Sequence, residues 1–309
     1  MKKFNKYLVI TSLIVISMLG LSGQVMAATT PSLGVAVTFG ILASTYTNTA
    51  IGTTINGDLG YTTPPALAPT VSGSTHAADA TYAQAGIDQG TALTALAAEP
   101  CTFTFANGAI DLAIDTTHGP IGVYTPGVYC TGASSAASIG AGGITLNGAG
   151  TYIFRITGAL TTVANSVVTL AGGASACDLF WTPTAATTLG ANSTFAGTDI
   201  DASGITIGST VGWVGRALAF GGTVSTSADT ITVPSGCTAA VTSGGSSGGS
   251  SASTTIPKLP NTGVGPENGG IPWSVVALVG VLATLILYVV RSKATQSMIA
   301  RTKLGRRRK

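Results

Sequence analysis

Positive charge is nearly missing from most of this chain. Of the 14 Lys and Arg residues, only Arg155 and Arg216 lie between residues 28 and 237, a stretch that holds ten of the 11 acids. Two cations against ten acids leave that stretch at −8, although the whole chain sums to +3. Nucleic acid and anionic lipid are thereby excluded as its partners, since both are held by clustered Lys and Arg. Aromatic residues make up only 6% of the chain, and most fall at strand positions expected to point inward, which leaves little for a glycan to stack on. Histidine is limited to His76 and His118, with no CxxC or Cys/His spacing, so neither a metal nor a cofactor is expected. No nucleotide loop or Ser-His-Asp arrangement is present. Four cysteines, Cys101, Cys130, Cys177 and Cys237, allow two disulfides by three connectivities, or buried free thiols.

The two ends supply what the middle lacks. Lys2, Lys3 and Lys6 precede an apolar run and then Val25-Met26-Ala27, the pattern of an export signal over residues 1–27. At the other end, residues 271–290 are uncharged and long enough to cross a hydrocarbon core of ~30 Å at 1.5 Å per residue. Arg291, Lys293, Arg301, Lys303 and the cluster Arg306-Arg307-Arg308-Lys309 all follow that span, so residues 291–309 are expected in the cytoplasm and the bulk of the chain outside. Before it stands Leu259-Pro260-Asn261-Thr262-Gly263. With spacer, span and basic end in this order, the pentapeptide resembles the LPxTG sorting signal of Gram-positive surface proteins. The resemblance implies that a sortase cuts between Thr262 and Gly263 and joins Thr262 to cell-wall peptidoglycan, with Leu259 and Pro260 as part of the recognised motif. The basic tail is longer than usual for such signals, and a plain single-span membrane anchor is the alternative. Residues 238–258, with a Gly-Gly-Ser-Ser repeat, read as a flexible tether.

That leaves residues 28–237 as one domain. Its C-terminal half repeats short runs with period-two alternation: Tyr152-Ile153-Phe154-Arg155-Ile156, Leu160-Thr161-Thr162-Val163 and Val167-Val168-Thr169-Leu170. The trio recurs as Leu179-Phe180-Trp181, Thr187-Thr188-Leu189 and Thr194-Phe195-Ala196, then as Asp199-Ile200, Ile205-Thr206-Ile207 and residues 211–214. A last round is Ala217-Leu218-Ala219-Phe220, Val224-Ser225-Thr226 and Thr230-Ile231-Thr232-Val233. Three strands per turn predict a mainly β fold, a three-sided parallel β-solenoid. A β-sandwich is the runner-up, but it needs Asn-Gly or Asp-Gly hairpins between paired strands. Residues 75–99 break the pattern. They are Ala-rich and place Ala78, Tyr82, Ala85, Gln89, Leu93 and Leu96 on one face, which predicts a helix stopped by Pro100. The first strand of each round is apolar in both phases and so needs cover on both faces. The helix is expected to lie along that side.

These residues resemble secreted ice-binding proteins of the discontinuous β-solenoid type (DUF3494). The matching stretches are Leu33-Gly34, Phe39-Gly40-Ile41-Leu42-Ala43, Thr47-Asn48-Thr49, Ile55-Asn56-Gly57-Asp58-Leu59-Gly60, His76-Ala77-Ala78-Asp79-Ala80, Thr125-Pro126-Gly127-Val128-Tyr129, Phe180-Trp181 and Ser193-Thr194-Phe195-Ala196-Gly197. The resemblance implies that N-terminal residues form one end of the solenoid, before a capping segment and one long helix lead to the rest. It also implies ice as the partner.

The second strand of each round agrees on its own terms. With Leu160, Thr162, Ile205 and Ile207 inward, Thr161, Thr188, Thr206 and Ser225 point outward in register, ~4.8 Å apart. Ala159, Ala186, Thr223 and Ser227 are their small outward neighbours, which gives a flat, uncharged face fit to hold lattice-like water. Thr194, Thr230 and Thr232 on the third strand form a less regular alternative. A rival function is an adhesin for polysaccharide or neighbouring cells, for which Trp213 is the aromatic to watch. A polysaccharide-degrading enzyme is the third, resting on Asp199 and Asp201 at i and i+2 with Arg216 one round away.

Overall fold

Strands form where Thr, Val and Ile alternate, and the Ala-rich run forms a helix, so the architecture is mainly β with one long helix. The computed structural model describes residues 28–237, all within the first of the chain's two units, Met1–Gly244. The expected export signal, tether, sorting motif, membrane span and basic tail lie outside the described residues, among which no helix is long and apolar enough to cross a membrane.

Among the described residues every pairing between named strands is parallel. Phe103–Thr104 pairs with Gly127–Cys130, which pairs with Tyr152–Thr162 and then Leu179–Leu189. Next come Thr194–Ile200 and Ile205–Ile207, and then Gly212–Thr226. There the order of the chain breaks. The next neighbour is Phe39–Asn48, followed by Asp58–Tyr61 and Thr75–Ala77, all still parallel. The N-terminal segment therefore completes the far end of the stack, and helix α1 (Ala80–Ala98), 19 residues and about 28 Å long, leads back toward Phe103.

Three details differ from expectation. Helix α1 starts at Ala80 and not at Thr75, because Thr75–Ala77 pairs with Asp58–Tyr61 and Ala78 takes a left-handed φ of 53°. Asp79 then caps the helix, its Oδ1 accepting from the Tyr82 amide at 2.8 Å. Ala78 is consequently exposed and Leu93 half-buried, while Gly86 and Ala92 join Tyr82, Ala85, Gln89 and Leu96 on the buried face. At the other end Arg155 donates to the Glu99 carbonyl at 2.9 Å, a cation on the negative end of the helix dipole. Secondly, the first and second strands of a round are continuous in Tyr152–Thr162, Leu179–Leu189 and Gly212–Thr226; the residues that read as separators stay extended and absorb register shifts, as between Ile156 and Ala159. Thirdly, Trp213 is buried at 1% exposure, and its indole N–H donates to the Gly197 carbonyl at 2.8 Å.

Two apolar layers follow from the two phases of the first strand. Inward, Tyr129, Phe154, Trp181, Phe195 and Trp213 form a continuous series of ring contacts with centroids 4.4–5.3 Å apart. Outward, Leu42, Val128, Ile153, Phe180, Ile200 and Leu218 pack against Tyr82, Ala85, Ala92 and Leu96 of α1, as expected of a strand covered on both sides. The cysteines form Cys101–Cys130, which ties the helix exit to the stack, and Cys177–Cys237.

Ile207 is 2% exposed inside the inner layer. Ile207→Asp places an unpaired charge there and is expected to remove more than about 4 kcal/mol of stability, read from denaturant unfolding of residues 28–237. An unchanged midpoint would mean that this side chain faces water.

Candidate functional site

Four threonines and serines predicted to align do align. Thr161 pairs with Thr188, Thr188 with Thr206, and Thr206 with Ser225. Their chain neighbours Leu160, Thr162, Thr187, Leu189, Ile205, Ile207, Val224 and Thr226 are buried, while Thr161, Thr188 and Thr206 are exposed and Ser225 half-buried. The ladder is also longer than the sequence indicated. Ser138 pairs with Thr161 at one end and Thr47 with Ser225 at the other, which makes six hydroxyls in register at the ~4.8 Å strand spacing. The Ala137-Ser138-Ile139 alternation was a usable signal for Ser138. Thr47 lay beyond any local signal, because its neighbour in space is Ser225. Beyond Ser138 the next partner is Asp111, whose Oδ1 accepts the amides of Ala113 and Gly140 and so ends the ladder in a turn.

The flanks are low. On one side lie Ala159, paired with Ala185, and Thr223, paired with Thr45. Ala186 is exposed but has no direct partnership with Ala159, owing to the register shift. On the other side are Val163 at 44% exposure, Gly190, Gly208 and Ser227. A side chain at Gly190 would collide with the backbone of Val163 and Ala164 on the adjacent strand, so this edge of the face is held close by necessity. At the Thr47 end the hydroxyls bond each other, Thr47 Oγ1 donating to Ser225 Oγ at 2.6 Å. The third strand carries a second column, Thr194, Gly212, Thr230, Thr54 and Thr70, interrupted by the glycine, with Val214, Thr232 and Asn56 beside it.

Asp199 and Asp201 are fully buried, which bars a polysaccharide from reaching them. Arg216 is no partner for them: it pairs in register with Thr198 and bonds its hydroxyl, while Asp199, the next residue, takes the opposite phase among the inner layer beside Trp181 and Ala217. The Thr187 hydroxyl adjoins both carboxyls without a well-aligned hydrogen bond to either. Burial raises the Asp199 carboxyl well above the ordinary range, and Asp201 beside it raises it further. Burial likewise raises Asp201, against the pull of the Ser203 amide. Asp229 is pushed up to about 6 by burial, opposed by the amides of Ser227 and Val211 that it accepts. The large exposed apolar side chains among the described residues are all aliphatic, so no ring stands out as a stacking platform for a sugar.

The sequence model of the Ice-binding-like family matches residues 41–232. An "Ice-binding protein" of Nostoc sp. (strain HG1) is 32% identical over 253 residues, 77% of this chain and 86% of that protein. Another, of Flavobacterium frigoris (strain PS1), is 31% identical over 215 residues, 66% of this chain and 76% of its own length. Among solved structures, an ice-binding protein from the Antarctic ascomycete Antarctomyces psychrotrophicus superimposes with a TM-score of 0.59 at 30% identity, covering 67% of this chain and 99% of that one. The ice-binding protein domain of Shewanella frigidimarina matches with a TM-score of 0.56 at 25% identity over 67% of this chain and 98% of its own. These relatives are not enzymes, so the catalytic role for Asp199 and Asp201 is set aside.

A carboxyl whose folded pKa is raised adds stability in full below its unfolded pKa of ~3.9, and that contribution is lost as pH rises through the folded pKa. Asp229 and Asp199 therefore both make the domain less stable as pH climbs from about 4, Asp229 completing its share near 6. Asp199→Asn is expected to melt higher than wild type at pH 8, with the gap closing toward pH 4. A gap independent of pH would show that Asp199 keeps an ordinary pKa.

Proposed function

Because the chain belongs to the Ice-binding-like family, we propose that its domain adsorbs to ice through the ladder Ser138, Thr161, Thr188, Thr206, Ser225 and Thr47. The observation that carries this reading is the unbroken register of those hydroxyls on an uncharged strand face, with Thr161, Thr188 and Thr206 exposed and Ser138, Ser225 and Thr47 half-buried. Ice adsorption needs a surface that orders water without competing for it. Hydroxyls anchor waters at the strand repeat, methyl groups beside them limit other hydration, and charged groups, which would organise water around themselves, are lacking along the ladder. Ala159, Ala186, Thr223 and Ser227 keep the margins low. The stacked parallel pairings, together with a far end completed by Phe39–Asn48, support the three-sided, discontinuous β-solenoid as the frame of this face. Stiffness matters here because a face that flexes cannot match a lattice.

Surface attachment is the second part of the proposal. The chain's 28–237 domain is exported, tethered by residues 238–258 and held at the cell surface by sortase-catalysed linkage of Thr262 to peptidoglycan, after membrane insertion through residues 271–290. Support is the order of motif, apolar run and basic end in the sequence. Such an arrangement places an ice-adsorbing domain where it can hold a cell against a crystal or shield its surroundings from crystal growth.

Fluorescently labelled residues 28–237 are expected to coat a growing ice crystal. Thr206→Tyr, which raises a ring above the plane at an exposed site, is expected to abolish most thermal hysteresis while changing stability by less than about 0.5 kcal/mol; Thr206→Val should cost less. Equal hysteresis in two folded proteins would move adsorption to the column containing Thr194 and Thr230. For attachment, changing Leu259, Pro260 and Thr262 to Ala in a sortase-bearing host should convert a wall-linked protein into one that detergent extracts. A wild type that detergent already extracts completely leaves only a membrane anchor.

A further inference from the structure

Arg216 is one of two cations in the domain and is 1% exposed. Its three nitrogens meet only neutral groups: Nε donates to the Val37 carbonyl at 2.8 Å, one terminal nitrogen to Thr198 Oγ1 at 3.3 Å, and the other faces the Cys237 sulfur at 3.6 Å. Sulfur is a weak acceptor, so the last nitrogen is poorly served. Burial lowers the guanidinium to about 10, which still leaves it charged at neutral pH. Among the described residues no carboxylate pairs with it. The ion pairs among the described residues all involve histidine. Of the acids on nearby elements, Asp199 faces the inner layer, Asp178 accepts from the Thr30 hydroxyl, and Asp88 accepts from the Val35 amide. A buried, uncompensated charge is costly, and proteins that retain one generally pair it.

Arg216 is among the residues bordering a cavity of about 160 Å³ between the N-terminal segment and the Cys177–Cys237 disulfide, with Leu33, Val37 and Phe180 on its walls. The geometry points to a binding site for a small carboxylate with a short apolar tail, its carboxylate on Arg216 and its tail against Leu33, Val37 and Phe180. A planar guanidinium matches a carboxylate in two parallel hydrogen bonds, and the apolar walls favour a short alkyl chain over a fully hydrated anion. The site is separate from the hydroxyl ladder, since Arg216 lies on the helix-side phase of the strand whose far end carries Ser225. Occupancy is expected to fasten the segment 30–37 and the disulfide to the stack, and so to raise stability without altering adsorption to ice.

Butyrate is the probe. In thermal unfolding of the full chain at constant ionic strength, replacing chloride by butyrate is expected to raise the melting temperature by about 3 °C once the probe is tenfold above its dissociation constant. In residues 28–237 with labelled arginine, the Nε–H signal of Arg216 should shift saturably with butyrate while that of Arg155 stays in place. Ser32→Trp, which closes the cavity mouth and leaves Arg216 intact, should remove both responses. No saturable shift of Arg216 with butyrate in folded protein overturns the proposal, whatever the Arg216 variants do. Saturation by phosphate with none by butyrate overturns the carboxylate assignment. Thermal hysteresis unchanged by butyrate separates this site from the ice face, and a change in it would contradict their independence.

Discussion

Parallel, in-register pairing between successive strands is the constraint on which the rest of this molecule depends. Each hydrogen-bonded step places a residue directly above its counterpart at ~4.8 Å, so whatever the sequence repeats is repeated in space at that interval. Inside, the consequence is the series of rings through Tyr129, Phe154, Trp181, Phe195 and Trp213. Outside, it is the column of hydroxyls from Ser138 to Thr47. The two are coupled, because a slip of one residue would turn the hydroxyls inward and the aliphatic side chains outward. A regular surface is thus kept regular by a core that tolerates only one phase.

The stack has ends and one interruption, and each is managed by a specific device. Asp111 folds into the turn beyond Ser138, and Cys101–Cys130 fastens the first strands to the exit of α1. Helix α1 covers the side where both strand phases are apolar, which leaves the Thr-bearing strands without cover. Its own polarity is closed off by Asp79 at the start and Arg155 at the finish. The cations of the domain are accordingly absorbed by structure: Arg155 serves a helix end and Arg216 lies buried beneath the N-terminal segment. Neither disturbs the hydroxyl face.

Buried carboxyls are the chief irregularity. Asp199 occupies an inward position flanked by Trp181 and Ala217, where the repeat would otherwise place an apolar residue. Burial raises its carboxyl well above the ordinary range and so disfavours the charged form there. The same pressure on Asp229 is opposed by the amides of Ser227 and Val211, which it accepts.

From the residues alone came the mainly β class, the helix and the side it covers, and the outward phase of Thr161, Thr188, Thr206 and Ser225. All of these rest on local periodicity, which reports the phase of each side chain without reference to distant parts of the chain. Periodicity also misplaced the start of α1, since it cannot register the left-handed turn at Ala78, and it gave Trp213 no burial, since the aromatic stack that accepts it is assembled from other strands. Cysteine spacing left three pairings open, and only proximity in the fold selected Cys101–Cys130 and Cys177–Cys237. The joining of Thr47 to Ser225, and with it the full length of the face, was a tertiary decision: the two residues are far apart in the chain and meet because the N-terminal strand is added to the end of a stack built mostly from later residues. The isolation of Arg216 from the acids around it was decided the same way, by which side of its strand it occupies and by what packs over it.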